Sequence, residues 1–146
     1  MAEKEMQEKK EKPGIKILVP LLSKKEAMPL FIEAVAGMGK QIILLLVIDT
    51  NSMVGQFGFA TGEIAAGNAL MKEVKTAFGK KRKQCIDVIE WGDTATKIGH
   101  LALLHRVEKI CIVKQNNQFY ENLLNKLKEN LQGMQIEEIA LPPTAK

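Results

Sequence analysis

The side chains able to do chemistry in this sequence are few, and their spacing keeps most of them apart. His100 and His105 are five residues apart, whereas a zinc-binding helix places its histidines at i and i+4 on one face. Ser23 and Ser52 lack the Gly-x-Ser-x-Gly surroundings of a hydrolase nucleophile. Asp87, Glu90, Glu137 and Glu138 sit on or beside apolar runs, with no spacing that marks an acid–base pair. Cys85 and Cys111 have neither metal-pair nor Cys-x-x-Cys spacing and read as small buried hydrophobes. The sequence therefore offers no catalytic set and no metal site, and the expectation is a protein that is not an enzyme.

Three stretches could instead meet an anion. Lys80-Lys81-Arg82-Lys83 holds most of the excess behind a net charge of +4. It falls at the end of an expected helix, where cations complement the dipole, and no aromatic residues interleave with it, which argues against nucleic acid. Gly55, Gly58 and Gly62 lie in the segment Asn51–Gly62, too long for the tight strand-to-helix turn of a dinucleotide fingerprint and without the Gly-Lys-Ser/Thr of a P-loop. Lys114-Gln115-Asn116-Asn117-Gln118 follows the fourth apolar run. There Lys114 can pair with an anion or stay a solvated charge. Asn116 and Asn117 can bind phosphate oxygens or simply make a turn and cap a helix.

These residues have to be positioned by an alternation of apolar runs and helical patterns. Ile15–Pro20, Gln41–Ile48, Cys85–Glu90, Lys109–Val113 and Ile136–Leu141 read as strands. The near-continuous apolar character of Gln41–Ile48 marks a central strand covered on both faces. Helices are expected over Lys25–Met38 (Ala27, Leu30, Phe31, Ala34, Val35 and Met38 inward), Glu63–Phe78 (stopped by Gly79), Thr94–Arg106 (Ile98, Leu101, Ala102 and His105 inward) and Gln118–Gln132 (Phe119, Leu123, Leu124, Leu127 and Leu131 inward). Asp93 or Thr94 would cap the third helix. Trp91-Gly92-Asp93 would turn the chain before it. The rhythm predicts a parallel α/β sheet whose ligand lies beyond the carboxyl ends of the strands.

The 146 residues suit one domain: a charged tail over 1–13, alternating Glu and Lys, and a domain over 14–146 that begins after Pro13-Gly14. A hydrophobic fraction of 46% is ordinary for a globular protein. The longest apolar run, Ile42–Ile48, is too short to cross a bilayer, and the tail is not a secretory signal. A cytoplasmic location without membrane insertion is expected.

Lys16-Ile17-Leu18-Val19-Pro20, then Val47-Ile48-Asp49 closing the second strand, then Gly92-Asp93 before the third helix, stand in the order in which universal stress proteins carry such motifs. The chain resembles that family from Ile15 to Leu141. The resemblance implies a single-domain five-stranded parallel sheet in the order 3-2-1-4-5 with helices on both faces, the adenine-nucleotide alpha-hydrolase-like fold. It implies a ligand at the switch point between the first and fourth strands. Many members bind ATP there, using an Asp shortly after strand one and a Gly-x-x-Gly loop after strand four. Here the position of the Asp is Leu22, and no glycine lies between Val113 and Gly133. The expectation is a subgroup without the ATP loop and with no cofactor. A degenerate pocket of Pro20, Val47, Lys114, Asn116 and Asn117 would remain, and the family implies a homodimer through the C-terminal strand. The function expected is a non-catalytic stress or signalling module acting on a protein partner or small ligand. The alternative is a protein that binds ATP or AMP with Lys114–Asn117 in place of glycines.

Overall fold

A computed structural model describes residues 15–49, 59–60 and 63–142. The charged tail and most of the glycine-bearing segment over 51–62 lie outside these described residues. In chain order the elements are β1 (Lys16–Pro20), α1 (Pro29–Ala36), β2 (Gln41–Asp49), α2 (Ile64–Lys80), β3 (Gln84–Trp91), α3 (Thr94–Leu104), β4 (Lys109–Val113), α4 (Gln118–Asn130) and β5 (Gln135–Ile139), with a two-residue strand at Phe59–Ala60. The five main strands are all parallel and stand in the order 3-2-1-4-5, as expected.

β2 is an interior strand, between β3 and β1, and every residue from Ile42 to Ile48 is buried. Side chains alternate across a strand, so it feeds two separate cores. Ile42, Leu44, Leu46 and Ile48 pack with Phe31, Ile32 and Val35 of α1 and with Leu70, Val74 and Phe78 of α2. Ile43, Leu45 and Val47 pack with Ile98 and Leu101 of α3 and with Tyr120, Leu124 and Leu127 of α4. Fully burying each such side chain contributes about 1.5–3 kcal/mol.

Where the helices depart from expectation, local chemistry explains it. α1 starts at Pro29, four residues later than expected. A proline steers the residue before it out of the helical region, and Met28 is extended at φ −66, ψ 138. Proline itself suits the first helical position, which needs no N–H. Leu30 consequently points to solvent, and Ile32 takes the inward position. Gly79 does not stop α2. The helix runs to Lys80, and the chain turns at Arg82 with φ 63. In α4 the buried stripe begins with Tyr120, while Phe119 is exposed. His105 is not an inward helix residue but the C-cap of α3. Trp91 belongs to β3, not to the turn after it.

One glycine is demanded by packing. A Cβ on Gly39 would come within 2.8 Å of Ile15 Cγ2 and 2.9 Å of Ile17 Cδ1, so the α1–β2 turn can rest on β1 only without a side chain. Among the described residues no helix is long and apolar enough to cross a membrane.

Candidate functional site

β1 and β4 pair only at Ile17↔Lys109 and Leu18↔Ile110. Their paired register thus stops short of Pro20, at the switch point, where open α/β sheets take their ligands in a crevice. Pro20 has no N–H to extend the ladder. On its other side the chain continues toward β2, with Leu21 N donating to Leu45 O at 2.8 Å. The strand Phe59–Ala60 pairs with Ile48 and Asp49. β3 already occupies one edge of β2 along that length, so this short strand lies on the β1 edge, beyond Pro20.

The turn after β1 is built around Glu26. Leu22 N, Ser23 N and Ser23 Oγ each donate to Glu26 Oε2 at 3.0 Å, and Lys25 N donates to Ser23 Oγ at 3.2 Å. Lys24 takes a left-handed φ of 67 to allow the return. Glu26 is completely buried, and its other oxygen, Oε1, has no hydrogen-bond partner. Burial raises its pKa against the lowering effect of those hydrogen bonds. Glu26 was not among the expected site residues. Ser23-Lys24-Lys25-Glu26 has the Ser-x-x-Glu spacing of a capping box, and that spacing was the available signal. Leu22 is only 4% exposed and belongs to the core beside Ile43, Leu45 and Val47.

The connection after β4 is equally committed. Lys114 N donates to Ile139 O at 2.8 Å, tying it to the end of β5, while its side chain is exposed. Asn116 is exposed. Asn117 is the N-cap of α4, its Oδ1 accepting from Tyr120 N at 2.7 Å. Gln115 carries a buried Nε2 without a partner. Of the expected pocket residues, Pro20 and Val47 are buried, and Asn117 spends its side chain on the helix. Among the described residues no hydrogen bond or ion pair joins any two of the five.

α3 begins at the carboxyl end of β2. Asp93 caps it, its Oδ2 accepting from Thr96 N at 2.9 Å and Thr96 Oγ1 at 2.8 Å. These bonds hold its carboxyl below the usual range. Asp49, at the end of β2, accepts from Thr94 Oγ1 at 3.1 Å. Asp49 thus anchors the start of α3. Gly92 turns the chain between β3 and α3 with φ 140.

Elsewhere the reactive groups are quiet. Burial pushes the Cys85 thiol up to about 11 and the Cys111 thiol up to about 12, so neither is a thiolate at neutral pH. They stand three strands apart, about 14 Å at the usual strand spacing, beyond disulfide reach. His100 is exposed. Among the described residues no three His, Cys, Asp or Glu side chains gather at metal-binding distance. A groove of about 730 Å³ lies between α1 and α2, away from the crevice, lined by Ile32 and Ala77 with Lys72, Lys80, Lys81 and Glu33 around them.

No protein-family model and no curated protein sequence matches the chain. Solved structures do. The hypothetical protein PH0823 is 20% identical with a TM-score of 0.58, over 90% of this chain and 99% of that one. The hypothetical protein MJ0577 is 16% identical with a TM-score of 0.62, over 88% of this chain and 97% of that one. Identities this low establish the fold alone, a parallel α/β sheet in the order 3-2-1-4-5 with helices on both faces.

Proposed function

We propose that this chain is a non-catalytic cytoplasmic module of the universal-stress-protein type, without a glycine-loop ATP site. It acts in stress response or signalling as a homodimer, through contacts with a partner or a small ligand. The connection from β4 to α4 carries this reading. Four residues, Lys114 to Asn117, separate the strand from the helix, and the last of them is used as a helix cap. A phosphate cradle needs several backbone N–H groups turned toward one anion, which glycines permit. Leu22 supports the same reading, because a buried aliphatic side chain offers a ribose hydroxyl nothing to bond.

A second reading keeps a nucleotide at the crevice, held by Lys114, Asn116 and Asn117. Gln115 favours it, since its buried Nε2 is a donor without an acceptor in the same connection.

Native mass spectrometry of the purified protein, followed by thermal shift with ATP, AMP and Mg²⁺, separates the two. A ligand that binds only the folded state stabilises it by about 2.7 kcal/mol at a hundredfold excess over its dissociation constant. No retained nucleotide and no shift, with a dimer mass, is the expected result. A bound nucleotide, or a shift abolished by Lys114→Ala, establishes the second reading instead.

A further inference from the structure

We propose that the outer edge of β3 is the homodimer surface, with two copies joined antiparallel about a twofold axis through Val88 into one ten-stranded sheet. The inference rests on the homodimer part of the proposed function and assigns the contact to the edge opposite the C-terminal strand.

The two edges of the sheet differ in length and chemistry. β5 has five residues, its Glu137 and Glu138 are held within the copy by Lys109 at 3.8 Å and Tyr120 at 2.8 Å, and its apolar side chains Ile136 and Ile139 are half-buried rather than exposed. β3 has eight residues and pairs only with β2 among the described strands. Ile86, Ile89 and Trp91 on β3 are 51%, 47% and 52% exposed. By register, Ile89 and Trp91 lie on the α1/α2 face beside Leu46 and Ile48, and Ile86 lies on the α3/α4 face beside Ile43. A strand apolar on both faces is the pattern of a sheet interior, not of a solvated edge.

The strand fits a second copy of itself. Residues opposed in a continuous sheet must point to the same face, so self-paired positions differ by an even number. Two twofold centres keep most of the strand paired, Asp87 and Val88. Centring on Asp87 sets two carboxylates opposite each other, which destabilises. Centring on Val88 sets Val88 against itself, Asp87 against Ile89, Ile86 against Glu90 and Cys85 against Trp91. Both acids are already answered within their own copy, Asp87 by Lys75 at 3.0 Å and Glu90 by Lys97 at 3.4 Å. The ends complement each other as well. The basic run Lys80–Lys83 leads into β3, and Glu90 and Asp93 close it, so antiparallel pairing brings each copy's basic end beside the other's acidic end.

Sedimentation velocity on the full chain tests this, with Trp91, the sole tryptophan, as an optical reporter. The wild type is expected to be dimeric at tens of micromolar, its tryptophan emission moving to shorter wavelength as concentration rises. Ile89→Lys should be monomeric with unchanged circular dichroism and no such shift. In a Cys85→Ser background, Val88→Cys should cross-link to a covalent dimer on mild oxidation, while Ile86→Cys, which faces Glu90, should not. A wild type that is monomeric throughout overturns both the edge and the homodimer reading. A dimer that survives Ile89→Lys, or that is lost on Ile136→Lys instead, overturns the β3 edge alone. If Val88→Cys fails to fold, the Ile89→Lys result still decides.

Discussion

Tyr120 and Glu138 join the last helix to the last strand: the fully buried phenol of α4 donates to Glu138 Oε1 at 2.8 Å. The ring fills the α3/α4 core while its hydroxyl reaches the edge strand. Burial first, and the adjacent Glu138 second, raise the phenol's pKa, so it stays a donor at any ordinary pH.

Tyr120→Phe keeps the packing and removes this bond. Glu138 is exposed and can turn to water, so the loss should be near the usual net value of about 1 kcal/mol. Urea denaturation should show a lower midpoint with an unchanged slope.

Glu26 makes stability depend on pH with a definite sign. Its folded pKa lies above the unfolded value of 4.5, so the unfolded chain ionises first as pH rises. The stability Glu26 contributes is complete below pH 4.5 and is lost upward through its folded pKa. Glu26→Gln cannot ionise. Melting temperatures of the two proteins compared from pH 4 to pH 8 should show the variant gaining on the wild type as pH rises. A constant difference would refute the burial argument.

The two helix caps should behave alike when truncated. Asp93→Ala and Asn117→Ala each remove a side-chain acceptor at 2.9 Å and 2.7 Å from a first-turn N–H, and each should cost about 1 kcal/mol. Only the first carries a pH signature. Asp93 has a lowered pKa, so its stabilisation is present above pH 3.8 and fades as pH falls through the folded value. Chemical denaturation at pH 7 and pH 3 distinguishes the two variants.

Leu22→Ala should destabilise by about 2–5 kcal/mol, the usual range for a buried leucine. A much smaller loss in equilibrium unfolding would show that Leu22 is not the core residue its burial implies.

Most of the sheet was legible in the sequence because its strands are apolar runs with sharp ends. Lys109–Val113 has the same bounds in sequence and structure, since charged and polar residues flank it on both sides. Helix faces were less legible. Leu123, Leu124, Leu127 and Leu131 are core residues as expected, but the same row of fours extends back to Phe119, whereas the helix turns every 3.6 residues and carries Tyr120 inward in its place. At the site, Leu22 and Asn117 could be read from position alone. For Glu26 the Ser-x-x-Glu spacing signals a local hydrogen-bonding role, but nothing local to Ser23-Lys24-Lys25-Glu26 says that its carboxylate will be covered by the body of the protein. Nor does β3 announce its exposure. Its apolar residues look like an interior strand in sequence, and only the sheet order makes it an edge.

The pairing of β1 has a consequence for synthesis on the ribosome. Its first neighbour, Gln41–Leu45, emerges soon after it, but its second, Lys109–Ile110, lies some ninety residues further along the chain. At about 5–20 residues per second, that is a wait on the order of ten seconds. During it one flank of Ile17 and Leu18 has no strand to meet. The contacts that then close on Lys16, its N–H to Glu108 Oε1 at 2.7 Å and its carbonyl to Glu108 N at 2.9 Å, form only when the later part of the nascent chain arrives. The ladder of β1 is thus completed only by the C-terminal third, and a nascent chain stalled before β4 would lack the partner for one flank of β1.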